Sequence, residues 1–258
     1  MENFKYKKSL GQNFLIDKTI LDKIITSSDL TDEDLVLEVG AGSGTLTKEL
    51  VKTNAQVISY EIDDRLKNTL NLITSPNLKI IFKDFLQEDL TSLLKNYKYK
   101  KLYVIANIPY YITTPIIEKV LEETDIYEMI IMVQKEVGNR LKAKPNNKEY
   151  GSLSVYLQYY FSISLVTDVP RECFNPSPNV DSVVIKFLKI NKYKAKSEEF
   201  FFKLIKDAFH YKRKNLRNNF KEYDLSKMEK LLKDIKKDLT YRAEQLSIED
   251  FLYLSDNY

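Results

Sequence analysis

Residues Asp34 to Gly44 read DLVLEVGAGSG, and this stretch decides the fold. Leu35, Val36, Leu37 and Val39 form a short apolar run rich in β-branched residues, the pattern of a buried strand in a parallel sheet. Gly40, Gly42 and Gly44 follow at every second position. A helix is expected next, with Thr45 as its N-cap and Lys48 to Val51 continuing it. Strand, glycine turn and helix is the layout in which a nucleotide-like ligand sits at the carboxyl end of a strand, because glycine lets the backbone turn sharply and approach the ligand. Such turns also serve as plain connectors, so the stretch needs support from elsewhere in the chain.

The whole chain has 258 residues, enough for one large domain or two modest ones with a proper core. Apolar residues make up 43% and charged residues 30%, as in an ordinary globular protein. A single Cys173 excludes an internal disulfide, and with the single His210 it argues against a Cys/His metal site, so no metal is expected. No apolar run is long enough for a membrane span, and the start MENFKYKK lacks the apolar core of a signal peptide; a cytoplasmic monomer is the expectation. The net charge of +3 is unevenly spread. Phe201 to Arg242 holds 13 Lys and Arg against 6 Asp and Glu, a local +7, which leaves about −4 for the remainder. A basic end on an acidic body suggests a polyanion partner, although Lys227 to Lys237 reads better as a solvated helical face.

Ahead of the glycine strand, Lys7 to Asp17 reads KKSLGQNFLID and leads into an amphipathic helix that reaches about Ser28. On chemistry alone it is a capping segment in which Gln12 and Asn13 are turn residues. After the glycine helix, Gln56 to Tyr60 reads as a second strand ended by Glu61, followed by a helix from about Asp63 to Leu72. An acid at that strand end is placed to accept hydrogen bonds from ribose hydroxyls. A third strand, Leu78 to Phe82, ends at Lys83-Asp84-Phe85; Asp84 can accept an adenine N–H while Phe85 or Leu86 covers the ring.

The fourth strand, Leu102 to Ala106, ends in Asn107-Ile108-Pro109-Tyr110. The exocyclic amine of adenine is a poor nucleophile because its lone pair is delocalised into the ring. Carbonyl acceptors for its hydrogens favour a pyramidal nitrogen, and the Asn107 side chain and the Ile108 main chain can supply them. Pro109 stiffens the turn, and the Tyr110 ring, rather than its hydroxyl, offers a face for a flipped base.

Gln12-Asn13-Phe14-Leu15, Glu38 to Gly44, Glu61, Asp84 and Asn107 to Tyr110 together resemble the ribosomal RNA adenine N6-dimethyltransferases. The resemblance implies S-adenosylmethionine as methyl donor, its methionine end near Asn13, Leu15 and Gly40, its ribose near Glu61 and its adenine near Asp84. It also implies that Asn107, Pro109 and Tyr110 hold the target adenine, with Asn107 bordering both ligands. The implied fold is α/β, a Rossmann-like seven-stranded class I methyltransferase sheet with a small C-terminal all-helical domain.

The remaining segments fit that outline. Strand five, Ile126 to Val133, precedes a helix beginning at Gln134; a polar loop and a helix from Ser152 to Tyr160 follow. Ser162 to Val169 and Val180 to Leu188 read as the antiparallel edge pair. Between them, Phe174 to Ser182 resembles the family's proline-rich loop, which implies that Phe174 stacks on the target base from the other side. Domain limits are expected at 1–191 for the catalytic part and 192–258 for a helical RNA-binding part. There, Phe209 to Phe220 gathers Lys212, Arg213, Lys214 and Arg217 as RNA contacts, with His210 on the same RNA-facing helix. This tail, with Tyr241 to Ser247, resembles the branch acting on 16S-type RNA of the small ribosomal subunit, which modifies two adjacent adenines in a hairpin loop near the 3′ end. Alternatives are a large-subunit (23S) resistance methyltransferase, a non-catalytic RNA-binding factor on the same fold, and, more remotely, a nicotinamide dehydrogenase. Tyr111 departs mildly from the family pattern, since many relatives carry a smaller polar residue there.

Overall fold

A computed structural model describes residues 6–7 and 11–258. The part of the capping segment at Lys8 to Leu10 lies outside the described residues. The strands are β1 (Phe14–Leu15), β2 (Leu35–Val39), β3 (Gln56–Glu61), β4 (Leu78–Phe82), β5 (Leu102–Asn107), β6 (Glu128–Gln134), β7 (Phe161–Val169), β8 (Phe174–Asn175) and β9 (Ser182–Lys189). Seven of these form one sheet in the order β4-β3-β2-β5-β6-β9-β7, while β1 and β8 make a separate antiparallel ladder. The strands from β4 across to β6 are parallel, and β9 runs antiparallel to β6. This is the seven-stranded α/β sheet expected from the sequence.

Short helices connect the strands: α1 (Lys18–Thr26), α2 (Thr45–Leu50), α3 (Lys67–Leu70), α4 (Leu90–Leu94), α5 (Thr113–Glu123) and α6 (Lys135–Leu141). Every side chain of β2 is buried, as its unbroken apolar run requires. The chain steps outward from β2 to β4, then returns to the other side of β2 as β5. That reversal opens a crevice beyond the carboxyl ends of the strands.

Two local expectations change. Gly44, not Thr45, caps α2, because the chain enters the helix with φ of 77°, a left-handed conformation that glycine adopts without steric cost. A Cβ at Gly44 would also stand 2.4 Å from Ile73 Cδ1. The helix expected from Asp63 to Leu72 contracts to a 3₁₀ turn, Asp64–Leu66, and the single turn of α3, with Asp63 capping the start.

The chain divides into two compact units, residues 1–138 with 164–188, and residues 139–163 with 189–258. The second contains α7 (Ser152–Tyr160), α8 (Glu198–Ala208), α9 (Leu216–Asn219), α10 (Leu225–Asp234) and α11 (Ile248–Asn257). Tyr150, Val155 and Tyr159 share its core with Phe201, Leu232 and Phe251. The Asn146 amide donates to the Glu244 carbonyl at 2.7 Å, and Gln158 Nε2 donates to the Ala143 carbonyl at 2.8 Å. The single boundary expected at residue 191 is therefore corrected: residues 139–163 lie inside the sheet's span of sequence but bury their apolar side chains among the C-terminal helices. His210 and its neighbours do not continue a helix either, because α8 ends at Ala208 and α9 begins only at Leu216.

The centre of the sheet holds one acid. Glu38, in the middle of β2, is fully buried. Its Oε2 accepts from Thr47 Oγ1 and Ser59 Oγ, both at 2.6 Å. Its Oε1 has no hydrogen-bond partner among the described residues. Burial outweighs the two hydroxyl donors and pushes the carboxyl from its ordinary 4.5 up to about 7. Between those values the folded chain binds more protons than the unfolded one, so this group's contribution to stability falls as pH rises through the interval. Glu38→Gln removes that dependence. Urea unfolding at pH 4.5 and pH 8 is expected to show the variant gaining on the parent by about 3 kcal/mol across the range; equal pH profiles would mean that Glu38 is ionised in the fold throughout.

Candidate active site

The carboxyl ends of β2, β3, β4 and β5 open on one cavity, which the segment Gly11–Leu15 borders from the other side. Its shape begins with the glycine turn. The amides of Gly40 and Ala41 both donate to the Tyr60 carbonyl at 2.9 Å, which folds the turn over the end of β3. The Gly42 amide points at Glu61 and donates to its Oε2 at 2.7 Å. Oε1 of Glu61 accepts from the Asp63 amide at 2.8 Å. Each oxygen therefore accepts from a backbone amide and retains acceptor capacity for a hydroxyl. Glu61 is only 6% exposed, and burial raises its carboxyl above the ordinary range.

Asp63, two residues on, behaves in the opposite way. The Arg65 guanidinium beside it holds its carboxyl down at about 2. Gln12 Nε2 donates to Asp63 Oδ2 at 2.7 Å, so Gln12 is more than a turn residue: it ties the N-terminal segment to the end of β3. Asp84 lines the cavity and caps the turn Phe85–Gln87, accepting from the Leu86 amide at 3.0 Å. Phe85 packs edge-on against Tyr60 with ring centroids 5.2 Å apart and is almost fully buried, while Leu86 is half-buried at the cavity wall.

Asn13 and Leu15 reach this cavity through two cross-links. Thr45 Oγ1 donates to the Leu15 carbonyl at 3.1 Å, which is the role its side chain has in place of helix capping. Asn107 Nδ2 donates to the Asn13 carbonyl at 3.4 Å. With the amide nitrogen so engaged, Oδ1 of Asn107 is the acceptor that remains. Gly40 and Asn107 are neighbours: a Cβ on Gly40 would stand 3.7 Å from both the Asn107 carbonyl oxygen and Pro109 Cδ. The glycine turn and the tetrapeptide Asn107 to Tyr110 thus form adjoining walls of one space.

Tyr110 is half-buried, and its hydroxyl lies 2.6 Å from Oγ of the fully buried Ser182. Burial raises the phenol pKa, so the group stays a neutral hydrogen-bonding hydroxyl. The sequence suggests a role for the ring alone; in the fold the hydroxyl anchors that ring. Nothing local signals the pairing, since Ser182 is 72 residues away in sequence. It follows from strand order: Asn107 pairs with Met132 on β6, and Gln134 on β6 pairs with Ser182 on β9.

Phe174 does not line the cavity. It pairs with Leu15 across the β1–β8 ladder, is 4% exposed, and belongs to the apolar core that includes Ile20, Leu21 and Val184. The ring expected to face the target base is thus packed with the residues that fix β1. Lys212, Arg213, Lys214 and Arg217 belong to the helical unit and are all exposed. The turn that carries the first three is fixed by Asn219, whose Nδ2 donates to the Ala208 carbonyl at 2.6 Å and whose Oδ1 accepts from the Tyr211 amide at 3.2 Å.

Comparison with known proteins supplies the context for this arrangement. The profile of the family described as ribosomal RNA adenine dimethylase matches residues 3–258. A protein of Clostridium botulinum named ribosomal RNA small subunit methyltransferase A is 43% identical over 98% of this chain and 94% of its own length. One of the same name from Bacillus cereus is 42% identical over 98% and 91%. Among solved structures, a dimethyladenosine transferase from Plasmodium falciparum superposes with a TM-score of 0.76 at 26% identity, covering 93% of this chain and 95% of the other. The 23S rRNA methyltransferase ErmE gives the same TM-score and identity over 95% and 99%. With a profile match over almost its whole length and relatives above 40% identity, the chain belongs to the ribosomal RNA adenine dimethylase family.

Proposed function

We propose that this chain transfers methyl groups from S-adenosylmethionine to the exocyclic N6 of two adjacent adenines in the 3′-terminal hairpin loop of 16S ribosomal RNA, forming N6,N6-dimethyladenosine during small-subunit biogenesis. It acts as a cytoplasmic monomer. The observation that carries the reading is the junction of the glycine turn with Asn107 to Tyr110 in one cavity, where a nucleoside-type donor and an adenine acceptor can meet. The 23S enzyme superposes as well as the dimethyladenosine transferase does, so the fold leaves the choice of RNA open. The small-subunit reading is supported by the relatives at 41–43% identity, which bear that name.

The residues present fit the donor. Glu61 has acceptor capacity left on both oxygens for a ribose diol, Gly40 lines the cavity with no side chain to fill it, and Asp84 has an acid oxygen free of the Leu86 amide for an adenine N–H. Asn13, Leu15 and Gly40 would border the methionine end, with Asn107 between the two ligands. Bound there, S-adenosylmethionine would supply an electrophilic methyl group, the broken S–CH3 bond leaving S-adenosylhomocysteine. Asn107 Oδ1 and the Ile108 carbonyl accept the amine hydrogens and favour a pyramidal N6 whose lone pair is directed at that methyl. The Tyr110 ring, braced by Ser182, stacks on the extruded base. Once alkylated, the nitrogen loses its proton to water, so no dedicated base is required. In the helical unit, Lys212, Arg213, Lys214 and Arg217 contact phosphates and set orientation rather than sequence.

Incubation with labelled donor and either undermethylated small subunits or large-subunit RNA, followed by mapping of the modified adenines, tests the assignment directly; modification of 23S RNA alone would replace it. Asn107→Ala is expected to lower single-turnover rates at saturating RNA by about 100-fold or more, the scale of losing one preorganised polar group, with RNA and donor affinities nearly unchanged. A normal rate under those conditions would remove the mechanism. Glu61→Ala should weaken donor binding by about 1.5–3 kcal/mol in calorimetric titration, with RNA binding retained. Replacing the four basic residues by alanine should make log affinity against log salt shallower by about 0.7–0.9 for each phosphate that is no longer neutralised. A salt slope equal to the parent's would place the RNA on another surface.

A further inference from the structure

Two aromatic side chains follow one another in the 3₁₀ turn Tyr110–Ile112, and both line the cavity. Successive residues of such a turn project about 120° apart, so the rings leave it in different directions. Tyr110 is tied back to Ser182. Tyr111 is 57% exposed. Part of its ring lies against the N-terminal segment at Gly11: a Cβ there would stand 3.4 Å from both Cδ1 and Cε1 of the ring and 3.5 Å from Pro109 Cβ. Gly11 has φ of 60°, so this close support comes from a residue whose conformation and lack of side chain both suit it. The result is an aromatic ring backed by main chain and open to solvent at the mouth of the cavity.

We propose that Tyr111 is a stacking subsite for the nucleotide adjacent to the target adenine. The proposal rests on the RNA adenine reading above. Asn107 presents one set of acceptors, so one adenine enters at a time. Taking that base out of its stack leaves its neighbour with one face uncovered. Tyr111, one residue along the chain from the ring that receives the target, offers a flat apolar face to replace the missing stack. Every base has a π-face, so the subsite would accept any neighbouring base, including a second adenine. The other role open to this ring is as a wall of the donor cleft, which the donor-affinity measurement below separates.

The test uses the 258-residue chain with a hairpin RNA and with the same RNA carrying an abasic nucleotide next to the target. Tyr111→Ala should raise the KM for intact RNA roughly 5- to 150-fold, the range for one base–aromatic stack, with little change in kcat and in donor affinity by calorimetry. Tyr111→Phe should restore the parent KM. The parent should lose a comparable factor on abasic RNA, and Tyr111→Ala should lose nothing further on it. An unchanged KM, losses that multiply, or a donor affinity that falls with Tyr111→Ala would overturn the subsite. A parent protein that methylates no RNA would instead overturn the functional reading and this inference with it.

Discussion

The site depends on the parallel register of β2 with its two neighbours. Leu35 pairs with Gln56 on one side and Leu102 on the other; the first ladder runs to Val39 with Tyr60 and the second to Leu37 with Val104, and the ends of all three strands border the same cavity. That alignment brings Glu61 under the Gly42 amide and Gly40 against the Asn107 carbonyl. A slip of one residue would turn every side chain of a strand to the opposite face. Full burial of β2 makes such a slip costly, since the side chains of the strand are apolar except for Glu38, whose two hydroxyl donors come from α2 and β3. Core packing and site geometry are therefore the same constraint.

Within that frame, the acids at the strand ends are sorted by their surroundings. Asp63 lies beside Arg65 and stays ionised, which suits a structural anchor for Gln12. Glu61 is enclosed, and its charge is supported only by backbone amides, which suits an acceptor for hydroxyls. The groups facing the proposed amine are amide and main-chain carbonyl oxygens. Such groups accept hydrogen bonds without taking the proton, so they can reshape a weak nucleophile without trapping it as a charged pair.

The helical unit works on different physics. Its core is aromatic and aliphatic, drawn from α7, α8, α10 and α11, and its basic turn is held by hydrogen bonds to and from the Asn219 side chain. A turn fixed in this way presents cations whose side chains are exposed, the condition under which they can exchange counterions for phosphates.

Much of this was legible in the chain itself. The apolar runs determined the strands, the Gly40-Gly42-Gly44 spacing determined the turn, and the polar residue ending each strand determined where ligand groups could lie, because all three are local consequences of side-chain type and backbone period. Local geometry still altered details: with Gly44 at φ of 77° already capping α2, Thr45 became a tether for Leu15. Contacts between distant segments were decided by the tertiary structure alone. Ser182 meets Tyr110, Gln12 meets Asp63 and Asn13 meets Asn107 across 72, 51 and 94 residues. Phe174 turned inward because its strand pairs with β1, and residues 139–163 joined the C-terminal helices because Tyr150, Val155 and Tyr159 bury there. Periodicity tells a side chain which face it occupies, but only the order and pairing of the strands decides what that face meets.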